Sequence, residues 1–223
     1  MTHTISSTLR VLSALLSYPE EGLLAALPEV PSRLGNMQYT TLQPLLNFMQ
    51  AHSLIELQEN YVATFDRNPA HSLHLFEHIH GESRDRGQAM VDLLNEYQTH
   101  GYEPHAAELP DHVPLFLEFL SLVPTQEAET LLGDAIHVLA AIGERLERNA
   151  SPYAGVFKVL RSLTTVVPQA LTMPPIKDMD EALEKFGPDS MGVEPLLKPG
   201  CESTNTPQPI QFYPAASRMT TAM

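Results

Sequence analysis

The stretch Val113–Leu122, VPLFLEFLSL, constrains the fold more than any other part of this chain. Wound as a helix, it sets Val113, Phe116, Leu117 and Leu120 on one side and Leu115, Phe119 and Leu122 on another. It is therefore apolar nearly all round, and such a helix is stable only in the middle of a core. The chain supplies amphipathic partners for it. Leu9, Leu12, Leu15 and Leu16 form one helical stripe, with Ser6, Ser7 or Thr8 as its expected N-cap. Leu42, Leu45, Leu46 and Met49 repeat the spacing. Ser53 and Glu56 make a capping box that opens a helix through Leu54, Leu57, Tyr61 and Phe65. Met90, Leu93, Leu94 and Tyr97 form a stripe closed by Gly101. A long helix after Thr125 turns Leu131, Leu132, Ala135, Leu139, Ile142 and Leu146 inward, and a last one after Pro152 carries Tyr153, Val156, Phe157 and Leu160. No convincing period-2 alternation competes. The expected fold is all-α: a single-domain helical bundle or orthogonal helical array over residues 1–167. Nine of the 19 prolines lie between Pro168 and Pro214. Residues 168–223 are accordingly expected to be a largely irregular tail, with a helical turn or two around Asp180–Phe186.

Charge and composition narrow the function. The net charge is -14, and the segment from Tyr61 to Leu120 holds ten acids and three arginines, half of that total. Such a surface repels phosphate backbones, which argues against nucleic-acid binding. It suits a basic partner or simply keeps the surface solvated. No apolar run approaches the roughly 18 residues of a membrane span. The N-terminus lacks a basic secretory n-region, and the one cysteine, Cys201, rules out an internal disulfide framework. A cytoplasmic location is expected.

The candidate chemistry is sparse. His71, His74, His78 and His80 crowd into and before LHLFEHIHG. On a helix His74 and His78 would be four apart, a metal-ligand spacing. The order of acid and histidines does not match a zincin, and no cysteine completes a site, so groove histidines and no metal are expected. GESRDRG, residues 81–87, lacks the glycine spacing and Lys-Ser/Thr of a phosphate loop. Glu82 and Arg86, with Asp85 beside them, read as a salt-bridged first turn of a helix or as a clamp for a peptide. Asp111 and Glu118 are seven apart, on one face of an otherwise apolar helix. They form either an acidic pocket wall or an N-cap plus one exposed acid. No nucleophile has a convincing base, and Asp111-His112 reverses the dyad of helical phosphohydrolases. Neither a catalytic set nor a resident cofactor is expected.

With these residues laid out, a resemblance emerges. The run YVATFDRNPAHSLHLFEHIHGESRDRGQAMVDLLNEY, followed by ELPDHVPLFLEFLS, resembles the nitrate reductase delta-subunit, or NarJ-type, molybdenum-cofactor assembly chaperones, a branch of the redox-enzyme maturation proteins. The resemblance is dense from Leu57 to Leu122 and looser over residues 1–165. It implies an all-helical, non-enzymatic protein whose partner is the apo catalytic (alpha) subunit of nitrate reductase. Binding would go through that subunit's N-terminal signal-like segment, supporting cofactor insertion and complex assembly before membrane docking. By position, the family's E-x-P-D-H motif falls on Glu108, Pro110, Asp111 and His112, and its E-x-Y-x-x-x-F element on Glu59, Tyr61 and Phe65. The nitrate reductase branch's signature falls on Phe76, Glu77, His78, Gly81, Glu82, Arg84, Asp85 and Arg86. The trimethylamine-oxide and dimethyl-sulfoxide branches carry a more aromatic block where LHLFEHIHG stands, so their binding details do not transfer.

A helical peptide would lay its apolar face against Tyr61, Phe65, Leu75, Phe76 and Phe119, while Glu77, Glu82, Asp111 and Glu118 attract its cations. This reading predicts an affinity that falls with salt and with charge reversal at Asp111, and that responds to histidine protonation near pH 6.5. The alternatives are a chaperone for a different molybdoenzyme, a metal-dependent helical hydrolase, or a permanent subunit of the reductase.

Overall fold

In the computed structural model, the residues described are 5–80, 85–104 and 108–171. Ten α-helices run through them: α1 (Ile5–Leu16), α2 (Glu21–Ala26), α3 (Val30–Arg33), α4 (Asn36–Ala51), α5 (Leu54–Tyr61), α6 (Glu77–His80), α7 (Asp85–Thr99), α8 (Val113–Leu122), α9 (Thr125–Arg148) and α10 (Ala154–Ser162). The only β pairing among these residues is one isolated antiparallel bridge, between His74 and His112. The all-α expectation holds. The expected tail, including Cys201 and the turns at Asp180–Phe186, lies outside the described residues from 172 onward.

α8 does sit at the centre. Its residues Val113, Phe116, Leu117, Phe119 and Leu120 are all buried, Leu115 is half-buried, and only Glu118 and Leu122 are exposed. Its main partner is α1, and two serines set the pairing. Ser13 Oγ donates to the Pro114 carbonyl at 2.7 Å near one end, and Ser6 Oγ donates to the Ser121 carbonyl near the other. Rising residues on α1 thus meet falling residues on α8, so the helices are antiparallel with one register. Ser6 is consequently inside α1 and not its cap, since the helix already runs from Ile5.

α9 covers the other flank with Ala128, Leu132, Ala135, Ile136, Leu139, Ile142 and Leu146 inward, and α10 packs between α9 and α4. Two glycines let those backbones approach. A Cβ on Gly155 would stand 2.7 Å from the Thr41 carbonyl oxygen of α4, and one on Gly143 would stand 2.6 Å from Phe157 Cβ. Helix propensity favours alanine over glycine by about 1 kcal/mol. Pushing a methyl into a fixed backbone carbonyl costs about 1–3 kcal/mol. Gly155→Ala is therefore expected to destabilise by up to about 2 kcal/mol. Gly22→Ala on α2, where the added methyl meets nothing, is expected to stabilise by a few tenths to about 1 kcal/mol. Urea unfolding midpoints that move the same way for both would refute the close-approach account.

The helix from Ser53 opens as expected. Ser53 accepts from the Glu56 N–H, and Glu56 accepts from the Ser53 N–H at 2.8 Å. These bonds hold the Glu56 carboxyl below its ordinary range. The regular α-helix stops earlier than the apolar spacing suggests. After Tyr61 it widens into a π turn, Val62–Asp66, closed by the Arg67 N–H on the Val62 carbonyl at 3.0 Å.

Candidate functional site

The π turn is followed by a short 3₁₀ turn, Pro69–His71, capped by Asn68, whose side chain accepts from the Ala70 N–H at 3.1 Å. The chain from Ser72 to Leu75 then passes alongside Asp111–Val113, forming the isolated antiparallel bridge between His74 and His112. Two backbone bonds join them: Val113 N–H to the Leu73 carbonyl at 2.8 Å, and Leu75 N–H to the Asp111 carbonyl at 3.1 Å. The Asp111 side chain completes this clasp. One carboxylate oxygen accepts from the Phe76 N–H at 3.0 Å, and the other meets His74 Nδ1 at 3.2 Å. Asp111 is 0% exposed. It does not cap α8, whose N-cap position is His112. A buried carboxylate is costly unless its lone pairs are filled, and here backbone and imidazole donors fill them.

Behind this wall, α9 holds the loop through neutral histidines. Arg145 donates to the Ala70 carbonyl at 3.2 Å and to His78 Nδ1 at 3.3 Å, while His78 Nε2 donates to the Ser72 carbonyl at 2.9 Å. His71, on the 3₁₀ turn, is held similarly, with Nδ1 donating to the Thr64 carbonyl at 3.1 Å and Nε2 accepting at 2.8 Å from Asn149, the C-cap residue of α9. One donor and one acceptor nitrogen per ring define the neutral tautomers. Burial, the largest influence on both, lowers His71 and pushes His78 down to about 4. His74 behaves oppositely. Burial alone would lower it, but the bond and charge of Asp111 outweigh that and raise it. Its ring lies 5.3 Å from that of His112, and burial together with the neighbouring His74 takes His112 to about 4.

These segments enclose a cleft of about 320 Å³. Tyr61, Phe65, Pro69 and Leu73 supply its apolar wall, while Asp66, Ser72, His74, Glu77 and His112 supply the polar one. Tyr61 is fixed by its hydroxyl, which donates to the Leu16 carbonyl at 2.9 Å, and Phe65 lies between Tyr61 and Tyr153, 4.9 Å from each ring. Glu77 accepts the Ser72 hydroxyl on one oxygen and Arg86 on the other, the latter at 3.0 Å.

The expected site residues separate by position. Tyr61, Phe65, Glu77 and His112 line the cleft. Phe76, His78 and Asp111 are buried behind it, and Arg86 braces Glu77. Glu59 is exposed on α5, and Asp85 is exposed at the start of α7; neither lines the cleft. Glu118 accepts from the Tyr102 hydroxyl at 3.3 Å, and Phe119 packs against Tyr97 at 4.5 Å, so this pair belongs to a separate cluster on α8. Leu75 is core. Glu82 and Arg84 lie outside the described residues, and Arg86 pairs with Glu77. His74 precedes α6, so His74 and His78 share no helical face and enter different networks. The described residues with metal-compatible spacing are elsewhere: Glu96, His100 and Glu127, whose ligating atoms lie within 4.8 Å of one another. Sequence reasoning missed Asp66, Pro69, Ser72 and Leu73. Asp66 follows Phe65 directly, but counting at 3.6 residues per turn directs it away from Tyr61.

No helix among the described residues is long and apolar enough to cross a membrane. The chain is 41% identical over 169 residues to the nitrate reductase molybdenum cofactor assembly chaperone NarJ of Escherichia coli (strain K12), covering 69% of this chain and 67% of that one. It is 35% identical over 159 residues to a Bacillus subtilis (strain 168) protein named as a probable chaperone of the same kind, covering 69% and 85%. A solved structure from Archaeoglobus fulgidus, assigned to redox enzyme maturation, superposes with a TM-score of 0.57 at 21% identity, over 73% of this chain and 94% of that one; it supports the fold. The family model described as nitrate reductase delta subunit matches residues 36–158, which include α4 to α9 and every residue lining the cleft. The chain belongs to the nitrate reductase delta subunit family.

Proposed function

We propose that this protein is a non-catalytic, cytoplasmic chaperone that binds the apo catalytic subunit of respiratory nitrate reductase and supports insertion of its molybdenum cofactor before the complex docks at the membrane. The cleft carries the reading. It gathers residues from both resemblance-bearing runs, Tyr61 and Phe65 from one end and His112 from the other, around an apolar wall with an acidic margin. Its volume is at the small end of the ligand-pocket range of about 300–1,000 Å³. That suits a few side chains of a docked helix and is too small to enclose a bis-molybdopterin dinucleotide. An apolar side chain of a partner helix would enter the cleft between Tyr61, Phe65 and Leu73. The carboxylates at the margin would attract its cations, so the affinity for the subunit's N-terminal segment falls as salt is raised. With a net charge of -14, the chain also steers a basic segment towards itself.

The decisive experiment removes the protein from its host and measures molybdenum in the accumulated catalytic subunit. The expected result is intact polypeptide lacking the metal. Full cofactor loading would overturn the proposal, and loss confined to another molybdoenzyme would reassign the client.

A further inference from the structure

Resting on that reading of the cleft, we infer that Asp66 is the carboxylate with which the site takes a guanidinium or ammonium group of its client, and that the π turn is what aims it there. In an α-helix five residues carry the chain about 140° beyond a full turn. A regular continuation of α5 would therefore point Asp66 away from the face that carries Tyr61. The turn from Val62 to Asp66 instead closes with a bond between residues five apart, which brings such residues over one another. Asp66 consequently joins Tyr61 and Phe65 on the cleft wall. Single π turns of this kind are frequent at functional sites.

Four carboxylates stand at, beside or behind the cleft, and they differ in what already holds them; Glu108, outside the lining, lies 3.9 Å from His112 Nδ1. Asp111 is fully buried and bonded to His74 and the Phe76 N–H. Glu77 is neutralised by Arg86 and takes the Ser72 hydroxyl. Asp66 is exposed, and among the described residues no side chain pairs with it, including its exposed neighbour Arg67. Of the two carboxylates that line the cleft, Asp66 is therefore the one without a compensating cation, beside the rings of Tyr61 and Phe65. An arginine or lysine whose stem lies along those rings ends at that carboxylate, where a charge-assisted bond forms.

The test is calorimetric titration of the full chain with a synthetic peptide spanning the N-terminal segment of the host's nitrate reductase catalytic subunit. A second peptide has its Arg and Lys replaced by norleucine. Asp66→Asn is expected to weaken the native peptide about fivefold to tenfold. It should leave the affinity for the norleucine peptide unchanged, because the lost interaction is the pair itself. Asp66→Glu should recover most of the loss. Native-peptide affinity equal to wild type in Asp66→Asn overturns the assignment and leaves the client reading standing. An equal loss for both peptides also overturns it, because the carboxylate would then act without a cation. A wild-type chain that does not bind the native peptide overturns the client reading, and the role of Asp66 with it. The variant folds as wild type in urea melts if Asp66 bears no structural load, which separates it from Asp111.

Discussion

Asp111→Ala is expected to lower stability by about 3 kcal/mol, a large share of the roughly 5–15 kcal/mol that holds a domain of this kind together. The loss has identifiable parts. The Phe76 N–H is left buried without an acceptor, His74 loses the group that favours its charge, and a void replaces the carboxylate between the paired segments 72–75 and 111–113. An unsatisfied buried donor alone costs about 1–3 kcal/mol. Asp111→Asn keeps an acceptor for Phe76 but removes the charge, so about half the effect is expected. Urea unfolding of the purified variants checks both. A midpoint for Asp111→Ala within error of wild type would mean that the clasp holds nothing. Charge reversal at Asp111 remains disruptive on this account, through the wall of the cleft. The carboxylate itself has no surface on which to meet a client.

Acid is expected to begin destabilising the protein above the range where ordinary carboxylates titrate. His78 and His112 are both held neutral, chiefly by burial, down to about pH 4, whereas an unfolded histidine charges near 6.5. A group whose folded pKa is depressed contributes stability that is complete above the unfolded pKa and is lost as pH falls towards the folded one. Each such histidine therefore removes about 1.4 kcal/mol per pH unit below about 6. The two together remove on the order of 4 kcal/mol by pH 4.5. His71, His80 and His137, also lowered by burial, add in the same direction. His74 has the opposite sign: its pKa is raised, so its contribution is complete below 6.5 and is lost as pH rises through its higher folded value. Stability should thus peak near neutrality and fall steeply on the acid side. Thermal melts at pH 7, 6, 5 and 4.5 measure this, and a flat transition temperature from 7 to 4.5 would refute it. His112→Gln should remove about half of the acid slope that the two strongest groups produce.

The central helix shows why part of this was legible in the residues. α8 is apolar on nearly every side, and a segment of that kind has no stable place except between other helices. The stripe of α9 and the Ser53–Glu56 box are equally local, since all their information lies within one or two turns. The site is different. Asp111 reads as a cap or an exposed acid in its own neighbourhood, because its partners, His74 and the Phe76 N–H, are remote in sequence. LHLFEHIHG reads as a possible ligand pair because spacing presumes a helix. The bridge between His74 and His112 prevents that helix from starting before Glu77. Glu118 and Phe119 have a credible local pattern and yet pack with Tyr97 and Tyr102, away from the cleft.

The amino-acid sequence by itself determined the all-helical class, the central place of α8, the acidic character and, through two unusual runs, the family. Each of these is carried by periodicity, composition or residue identity, which need no partner to be read. Only the tertiary structure decided which acids face the cleft. A carboxylate's role depends on what fills its lone pairs, and those donors come from other segments: Phe76 and His74 for Asp111, Arg86 and Ser72 for Glu77. The exposed Asp66 is left with none of them. The direction of Asp66 likewise depends on a π turn next to Phe65, whose ring is lodged between Tyr61 and Tyr153, a packing that no helical wheel contains.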